Sequence, residues 1–298
     1  MLTSVRIQNY RCLKDVTLEL GPLTVFVGPN ASGKTAIADS LTTSRVAVSD
    51  HWLQSEQNRP TWTIASNLVA QSPDPNKVLG DGTNRQKYTF DLSDLRQGQT
   101  ANESWTLDGT GKTLANLFDT LSRRDQEKFV SEFTRLVPMY SDIKARAQGG
   151  RKRLQFQDRW HLDSWYEPNQ VSDGTILIAA IIALGFQRTP PTLAVIEDPD
   201  YGLHPYLQRH VVTILRDLAE GKLGIKPVQV VCTTHSRALL DYLKPEEVRF
   251  VTRNRDNGET EVHKAPLDNP NWQQVYERFQ KSLGNMWMTG TLGGVPGG

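Results

Sequence analysis

The sequence has little cysteine, no excess of either charge and no long apolar run. Its two cysteines, Cys12 and Cys232, lie far apart without the spacing of a metal site, so we expect reduced thiols. A net charge of +1 over 298 residues argues against a polycationic coat for nucleic acid, although it permits a local basic patch. The longest apolar stretch, residues 176–186, is too short to span a bilayer, and residues 1–9 lack a signal-peptide pattern. These absences predict a cytoplasmic protein with no membrane partner.

The hydrophobic pattern predicts an α/β fold. Alternating apolar residues near the N-terminus predict an antiparallel β subdomain. Residues 193–196 and 228–232 have the composition of buried strands. A predicted helix at 206–221 connects them, which is the strand–helix–strand order of a parallel sheet. Residues 114–136 predict a single helix, and the Asn-Gly pair at 257–258 predicts a hairpin. We therefore expect a mostly parallel central sheet, the N-terminal antiparallel subdomain and a mixed insertion.

The length suits one large domain, and the composition divides it into four segments. Residues 1–47 form an N-terminal lobe, and residues from about 48 to 165 form an insertion and helical region. A further lobe runs from about 166 to 265, and residues 266–298 form a C-terminal tail that ends in a glycine-rich stretch.

A glycine-rich loop at residues 28–35 follows an apolar strand and precedes a helix. It matches the phosphate-binding pattern G-x-x-x-x-G-K-[ST], in which backbone N–H groups surround phosphate oxygens. Lys34 would reach the β- and γ-phosphates of ATP, and the Thr35 hydroxyl would bind Mg²⁺. The flanking strand and helix disfavour the alternative, a chance glycine-rich turn. The nucleotide-binding candidates in this loop are Gly28, Pro29, Asn30, Ala31, Ser32, Gly33, Lys34 and Thr35.

A second apolar strand ends in two adjacent carboxylates, Glu197 and Asp198. In this Walker B arrangement Glu197 would orient Mg²⁺ through water, and Asp198 would orient or deprotonate the attacking water. A strand that simply ends in an acidic turn is the commoner explanation of such a pair, but the phosphate loop upstream favours the catalytic one. Lys34, Glu197 and Asp198 are therefore catalytic candidates, and Thr35 and Glu197 are metal ligands.

Two weaker motifs complete the set. Ser172, Asp173 and Gly174 open an apolar helix whose N-terminus could hold a phosphate, although Ser172 or Asp173 alone is more simply an N-cap. They are further nucleotide-binding candidates. His235 follows the strand at 228–232, where a histidine could sense a γ-phosphate, and it is a catalytic candidate.

Taken in order, these motifs resemble those of the SMC/RecF-like AAA-type ATPases within the ABC superfamily. After the phosphate loop come Ser-Asp-Gly-Thr, Ile-Glu-Asp-Pro-Asp, Gly-Leu-His-Pro and Thr-His-Ser. The opening Ile-Gln-Asn-Tyr-Arg at 7–11 and the closing Leu-Gly-Asn-Met-Trp at 283–287 and Gly-Gly-Val-Pro at 293–296 are also similar. The motifs cover about residues 1–45 and 165–298, and the middle is similar only in outline.

The resemblance implies a head-to-tail homodimer with two ATP molecules at its interface. Ser172 and Gly174 of one subunit would complete the site built on Lys34 of the other, and His235 would be the switch histidine. Residues 201–205 would lie in the loop that links the two sites. Small members of this family resemble subunits of prokaryotic anti-phage systems, and no acidic nuclease cluster follows His235, so a nuclease effector would be a separate protein.

One departure from the family pattern concerns the rate of hydrolysis. The second carboxylate of the strand end is usually Glu in the family, whereas Asp198 is one methylene shorter. Moving the attacking water by about an ångström can cost orders of magnitude in rate, so we expect slow turnover. The glutamine that contacts Mg²⁺ in the family has three candidates here, Gln54, Gln57 and Gln71.

Several functions are compatible with these motifs. The preferred one is an ATPase whose dimerisation regulates a DNA-directed task or a partner effector in anti-phage defence. The alternatives are a RecF-like repair ATPase, a slow ATP-gated scaffold and the energy subunit of a transporter. Ser-Asp-Gly-Thr in place of a Ser-Gly-Gly-Gln signature argues against transport, and the absence of Asn-Lys-x-Asp excludes a GTPase.

Direct contact with DNA is an open possibility. The even spacing of Arg151 and Arg153 places them on one strand face, where cations can bind phosphates and a nearby tryptophan can stack on a base. An ordinary solvated strand face explains the run equally well. The candidate residues are Arg151, Lys152, Arg153, Arg159, Trp160, Arg253 and Arg255.

Overall fold

The computed structural model describes residues 1–42, 61–66 and 84–292. Two compact units divide them: the first draws on Met1–Lys87, Thr192–Asp198 and Gln229–Gly298, and the second on Tyr88–Pro191 and Pro199–Val228. The first unit combines separate stretches of chain, because the strand at 229–234 pairs with the strand at 193–197 and with the strand at 23–27. The candidates Gln54, Gln57 and Gln71 and the Gly-Gly-Val-Pro segment lie outside the described residues.

The described strands, in chain order, are β1 (Leu2–Tyr10), β2 (Leu13–Glu19), β3 (Leu23–Val27), β4 (Thr61–Ser66), β5 (Arg85–Tyr88), β6 (Gln99–Thr100), β7 (Tyr140–Gln148), β8 (Arg151–Asp158), β9 (Trp165–Tyr166), β10 (Leu193–Glu197), β11 (Gln229–Thr234), β12 (Val248–Arg253) and β13 (Thr260–Lys264). The described α-helices are α1 (Lys34–Thr42), α2 (Leu92–Gln97), α3 (Leu114–Thr120), α4 (Arg123–Leu136), α5 (Asp173–Ala183), α6 (Pro205–Ala219), α7 (Arg237–Leu240), α8 (Trp272–Arg278) and α9 (Leu283–Met288). None of these helices is long and apolar enough to cross a membrane.

The first unit contains a six-stranded sheet with the order β13-β12-β3-β11-β10-β5. The pairs β10–β11, β11–β3 and β3–β12 are parallel, and β13 adds an antiparallel edge strand. β3 and β11 are buried along their whole length, which explains the successive apolar residues at 25–27 in β3 and at 230–232 in β11. The predicted mostly parallel sheet is confirmed. The carboxyl ends of β3, β10 and β11 meet at one edge of it, where open α/β sheets bind ligands.

A three-stranded antiparallel sheet, β2-β1-β4, completes the first unit and confirms the predicted N-terminal subdomain. Val5 and Ile7 of β1 are buried and pair with Leu18 and Val16 of β2. These side chains join a core that includes the buried Ile37 of α1. This packing fixes α1, and with it the end of the phosphate loop, against the antiparallel sheet.

The second unit packs helices around α5, which is buried on every side from its second residue onward. Helices α2, α3, α4 and α6 surround it. Strand β8 pairs with β6, β7 and β9, all antiparallel. Aromatic contacts join α4 to this sheet, with ring centroids of Phe133 and Phe156 5.6 Å apart. Helices α2, α3 and α4 and strands β6, β7 and β8 lie in the predicted mixed insertion, whereas α5 and α6 lie in the lobe predicted at about 166–265.

The single helix predicted at 114–136 is in fact two, α3 and α4. The break falls at Leu121 and Ser122, both extended in the backbone. The Ser122 hydroxyl accepts a hydrogen bond from the Asp125 N–H, so it starts α4 as an N-cap. The apolar period continues through the break because both helices bury residues in one core, including Leu117, Phe129 and Phe133.

Candidate nucleotide-binding site

The phosphate loop connects β3 to α1, and two of its positions require glycine. A Cβ on Gly28 would lie 2.2 Å from the Val251 carbonyl oxygen of β12. Gly33 has a φ of 113°, and a Cβ there would lie 2.4 Å from the Thr260 hydroxyl. A side chain at either position would push the loop away from β12 and β13.

The β12–β13 hairpin contacts and supports the phosphate loop. The sequence motif did not predict this arrangement. The Thr260 hydroxyl donates to the Ser32 carbonyl at 2.9 Å, and the Arg253 guanidinium donates to the Ala31 carbonyl at 3.1 Å. Arg253, considered as a DNA contact from the sequence, therefore braces the phosphate loop.

Lys34 is the first residue of α1 and its ammonium folds back into the loop. The Nζ donates to the carbonyl oxygens of Gly28 and Pro29, both at 2.9 Å, and the side chain is buried. Burial lowers the pKa of Lys34 to about 8, although the Asp198 carboxylate opposes this shift. Among the described residues, the hydrogen bonds of this desolvated ammonium go to two neutral carbonyls, and a phosphate group would supply a direct counter-charge.

Asp198 directly follows β10 in a left-handed backbone conformation, with a φ of 42°. Its N–H donates to the Thr233 carbonyl of β11 at 3.2 Å, which holds the turn against the neighbouring strand. Burial raises the pKa of the Asp198 carboxyl, against the opposing influence of His235 and Lys34. Its Oδ1 atom is buried without a hydrogen-bond partner among the described residues. Such an orphaned acceptor fits an ordered water or a ligand group at this point.

His235 follows β11 at the same edge of the sheet. Burial lowers the pKa of its imidazole, Lys34 lowers it further, and Asp198 raises it. The lowered pKa favours a neutral imidazole near pH 7, which can donate a hydrogen bond from one ring nitrogen and accept one at the other. Lys34, Asp198 and His235 therefore lie close enough to influence one another electrostatically.

Glu197, the last residue of β10, has a cationic partner that the sequence did not indicate. The Lys87 ammonium on β5 lies 2.8 Å from the Glu197 carboxylate and 2.6 Å from that of Asp39 on α1. Asp39 also pairs with Arg11 at 2.6 Å. Burial lowers the pKa of Lys87, but its hydrogen bonds with Asp39 and Glu197 outweigh burial and the pKa is raised.

The oxygen donors at this edge fit Mg²⁺. Thr35 is exposed in the first turn of α1, and Glu197 offers a carboxylate at the end of β10. Hydroxyl and carboxylate oxygens, completed by waters and phosphate oxygens, are ligands that Mg²⁺ prefers. The Ser32 hydroxyl is buried in the loop without a hydrogen-bond partner among the described residues, as expected where a phosphate oxygen binds.

The second unit contains the predicted residues Ser172, Asp173 and Gly174. Ser172 is the N-cap of α5, and its hydroxyl accepts from the Thr175 N–H at 3.2 Å. Arg96 of α2 pairs with the Asp173 carboxylate and donates to the Val171 carbonyl at 3.1 Å. The Arg96 guanidinium thus holds the N-terminal end of α5 in position. The sequence did not indicate this contact.

Gly174 has a packing role within its own unit. A Cβ there would lie 2.8 Å from the Leu207 side chain and 2.9 Å from that of Leu203. Glycine at this position thus permits the close approach of α5 to the start of α6, independently of any ligand.

Comparison with known proteins places the chain in a family. Residues 23–241 match the sequence model described as "AAA domain, putative AbiEii toxin, Type IV TA system". The chain belongs to this family. An OLD nuclease of Thermus scotoductus (strain ATCC 700910 / SA-01) is 57% identical over 37 residues. That match covers 12% of this chain and only 7% of the nuclease.

Solved structures show the same fold. An SMC head bound to the C-terminal winged-helix domain of ScpA is similar with a TM-score of 0.57 and 13% identity, over 90% of this chain and 98% of that one. The SMC head domain of Thermotoga maritima gives a TM-score of 0.52 and 14% identity, over 89% and 99%. The predicted SMC-like P-loop fold is confirmed, and the family match supports an AAA-type ATPase.

Proposed function

We propose that the protein binds MgATP at the carboxyl edge of the first unit's sheet, hydrolyses it slowly and uses it to close a head-to-tail homodimer. The observation that carries this proposal is the buried Lys34 ammonium, which the loop holds through two neutral carbonyl oxygens beside Asp198. A charge in this setting is costly unless a ligand phosphate compensates it.

Each predicted residue has a role in this scheme. Thr35 and Glu197 hold Mg²⁺, which supplies positive charge against the β- and γ-phosphates. Lys34 binds the phosphates, and Asp198 orients or deprotonates the attacking water. Its buried setting raises its proton affinity, which suits a general base. His235 binds the γ-phosphate side from the adjacent strand.

The closed dimer regulates a separate effector, and we propose a nuclease in anti-phage defence. The family description names a toxin system, and the 37-residue segment that is 57% identical belongs to an OLD nuclease. These names support a proposal in which this ATPase acts with a toxic or nucleolytic partner. A scaffold that binds ATP and dimerises without appreciable turnover is the limiting case of the same proposal.

Complementation between two inactive variants tests the head-to-tail dimer. Ser172→Arg blocks the half-site that one subunit lends to the other, and Lys34→Ala removes the phosphate loop's cation. If the site is composite, mixing the two gives heterodimers with one intact and one doubly defective site. Statistical mixing then restores about a quarter of wild-type hydrolysis.

The measurement is phosphate release by each variant alone and by their equimolar mixture, with solution mass recorded with and without ATP. A mixture no more active than its components would exclude the head-to-tail arrangement. Ser172 also caps α5, so a melting curve must show that Ser172→Arg is folded, since loss of an N-cap costs about 1 kcal/mol.

A RecF-like action on DNA is the second candidate, and one surface favours it. Lys144 and Arg146 of β7 and Arg151 and Arg153 of β8 share the strand face opposite the buried Phe156. We call these four residues the cationic face. The Arg146 and Arg153 residues are directly paired across the strands, a repulsive arrangement that a bound polyanion would relieve.

The cationic face differs from the cluster predicted by sequence. Lys152 lies on the other face of β8 and pairs with Asp119, while Arg159 and Trp160 follow the opposite end of the strand. Trp165 instead provides the aromatic ring, with the Lys144 ammonium 3.5 Å from its centroid. Alternation along the strand explains the change, because Lys152 is one residue out of phase with its neighbours.

The double variant Arg146→Glu/Arg151→Glu tests whether DNA binds here. We expect duplex affinity at low salt to fall by about tenfold or more, and the slope of log affinity against log salt to decrease by about two. Arg124→Glu/Lys128→Glu on the exposed surface of α4 makes the same change in net charge and is the control. An equal loss in both variants would indicate nonspecific attraction and remove the cationic face from the proposal.

A further inference from the structure

Lys87 is the only described lysine that bridges two carboxylates at the candidate site. Its ammonium lies 2.6 Å from Asp39 and 2.8 Å from Glu197, so one cation joins α1 to the end of β10. All three side chains are largely shielded, with exposed fractions of 26% for Lys87, 23% for Asp39 and 13% for Glu197. Ion pairs with this little exposure are screened less than surface pairs.

Among the described residues, this group contains two positive charges, from Lys87 and Arg11, and two negative ones, from Asp39 and Glu197. Lys87 thereby offsets the negative charge of Glu197, a largely shielded carboxylate at the end of a buried strand. Glu197 is also the carboxylate assigned to Mg²⁺. A divalent cation that approaches it therefore meets an ammonium already in contact.

We propose that Lys87 is a positioning residue that holds Glu197 before nucleotide binds and competes with Mg²⁺ for it. Asp39 gives the ammonium a second anchor, so Lys87 can leave Glu197 without losing its other ion pair. Arg11, on the far side of Asp39, keeps that carboxylate oriented. Binding of Mg²⁺ to Glu197 thus requires the Lys87 side chain to move a short distance toward Asp39 on α1. This inference rests on the proposed MgATP site.

A Mg²⁺ titration of nucleotide binding tests the competition. The probe is a fluorescent, non-hydrolysable ATP analogue, and the measured quantity is the Mg²⁺ concentration that gives half of the metal-dependent gain in its binding. In Lys87→Gln the ammonium is gone while a hydrogen-bond donor remains. We expect the half-effective Mg²⁺ concentration to fall by about tenfold, because removal of one adjacent positive charge strengthens cation binding.

Two controls separate competition from a structural role. Lys87→Arg keeps the positive charge and is expected to retain the wild-type Mg²⁺ requirement. Lys152→Gln removes another shielded, ion-paired lysine, from the Asp119 pair, and should leave the requirement unchanged. A variant that merely loosens the fold would bind metal and nucleotide less well, whereas competition predicts tighter metal binding.

The outcomes also distinguish this inference from the function on which it rests. If the wild type binds the analogue in a Mg²⁺-dependent manner but Lys87→Gln has the same or a higher Mg²⁺ requirement, Lys87 does not compete with the metal. If the wild type does not bind the analogue at any Mg²⁺ concentration, the nucleotide site itself is wrong and the inference fails with it.

Discussion

Replacing Lys34 by methionine is expected to weaken MgATP binding by about two orders of magnitude or more while the fold persists. The ammonium is held at 2.9 Å by two loop carbonyls. In the proposed site it would make a charge-assisted contact with phosphate, which a thioether cannot make. Methionine has nearly the same length and fills the same buried space. Isothermal titration with MgATP measures the loss.

The matched control for this substitution is Lys222→Met, which removes an exposed lysine paired only with Glu220. We expect wild-type affinity for it. Thermal unfolding should show that Lys34→Met stays folded without ligand, because it also removes the cost of burying a charge whose pKa has fallen to about 8. MgATP binding by Lys34→Met at wild-type affinity would exclude the phosphate loop as the nucleotide site.

Replacing Asp198 by asparagine is expected to lower kcat by about two to three orders of magnitude with little effect on ATP binding. Asparagine has the same shape and tolerates the left-handed backbone at this position, but it cannot accept a proton from water. The variant should accumulate as an ATP-bound dimer. Phosphate release and solution mass in the presence of ATP measure the two effects.

Asp198→Glu tests whether the short side chain limits the rate. The extra methylene should bring the carboxylate nearer to the attacking water and raise kcat by about tenfold. The left-handed backbone costs a glutamate about 1 kcal/mol, so a modest loss of stability should accompany the gain. If Asp198→Glu is slower than the wild type, the short aspartate side chain is not the cause of slow turnover. If Asp198→Asn hydrolyses ATP at the wild-type rate, Asp198 is not the general base.

The pH dependence of hydrolysis gives a further check on Asp198. Burial raises the pKa of its carboxyl, so the ionised base is lost at a higher pH than for an ordinary aspartate as the solution becomes more acidic. Wild-type kcat should therefore decline on the acid side above the usual aspartate range. The Asp198→Asn variant should lack that decline.

Much of the fold follows from local sequence patterns. Successive apolar residues, at 25–27 in β3 and at 230–232 in β11, identify strands buried on both sides, and alternation in β1 and β2 identifies strands with one buried face. The helix break at Ser122 was missed because the apolar period continues across it, while the N-cap bond that causes it depends on a single hydroxyl.

The sequence by itself determined where the glycine-rich loop lies between β3 and α1. Gly28, Gly33 and Lys34 are defined by spacing along the chain, since a tight loop before a helix imposes backbone angles and a reach that few residues meet. The paired carboxylates Glu197 and Asp198 are likewise recognisable because they directly end an apolar strand. These local patterns can be recognised without knowing which distant residues contact them.

Only the tertiary structure decided which other residues surround these motifs. Lys87 reaches Glu197 because β5 lies beside β10 in the sheet, and Thr260 supports the loop because β13 follows β12 at the opposite edge. A Cβ on Gly174 would crowd the side chains of Leu203 and Leu207. Strand order and helix packing depend on non-local contacts, and a periodic pattern of apolar residues records which face is buried but not what it is buried against.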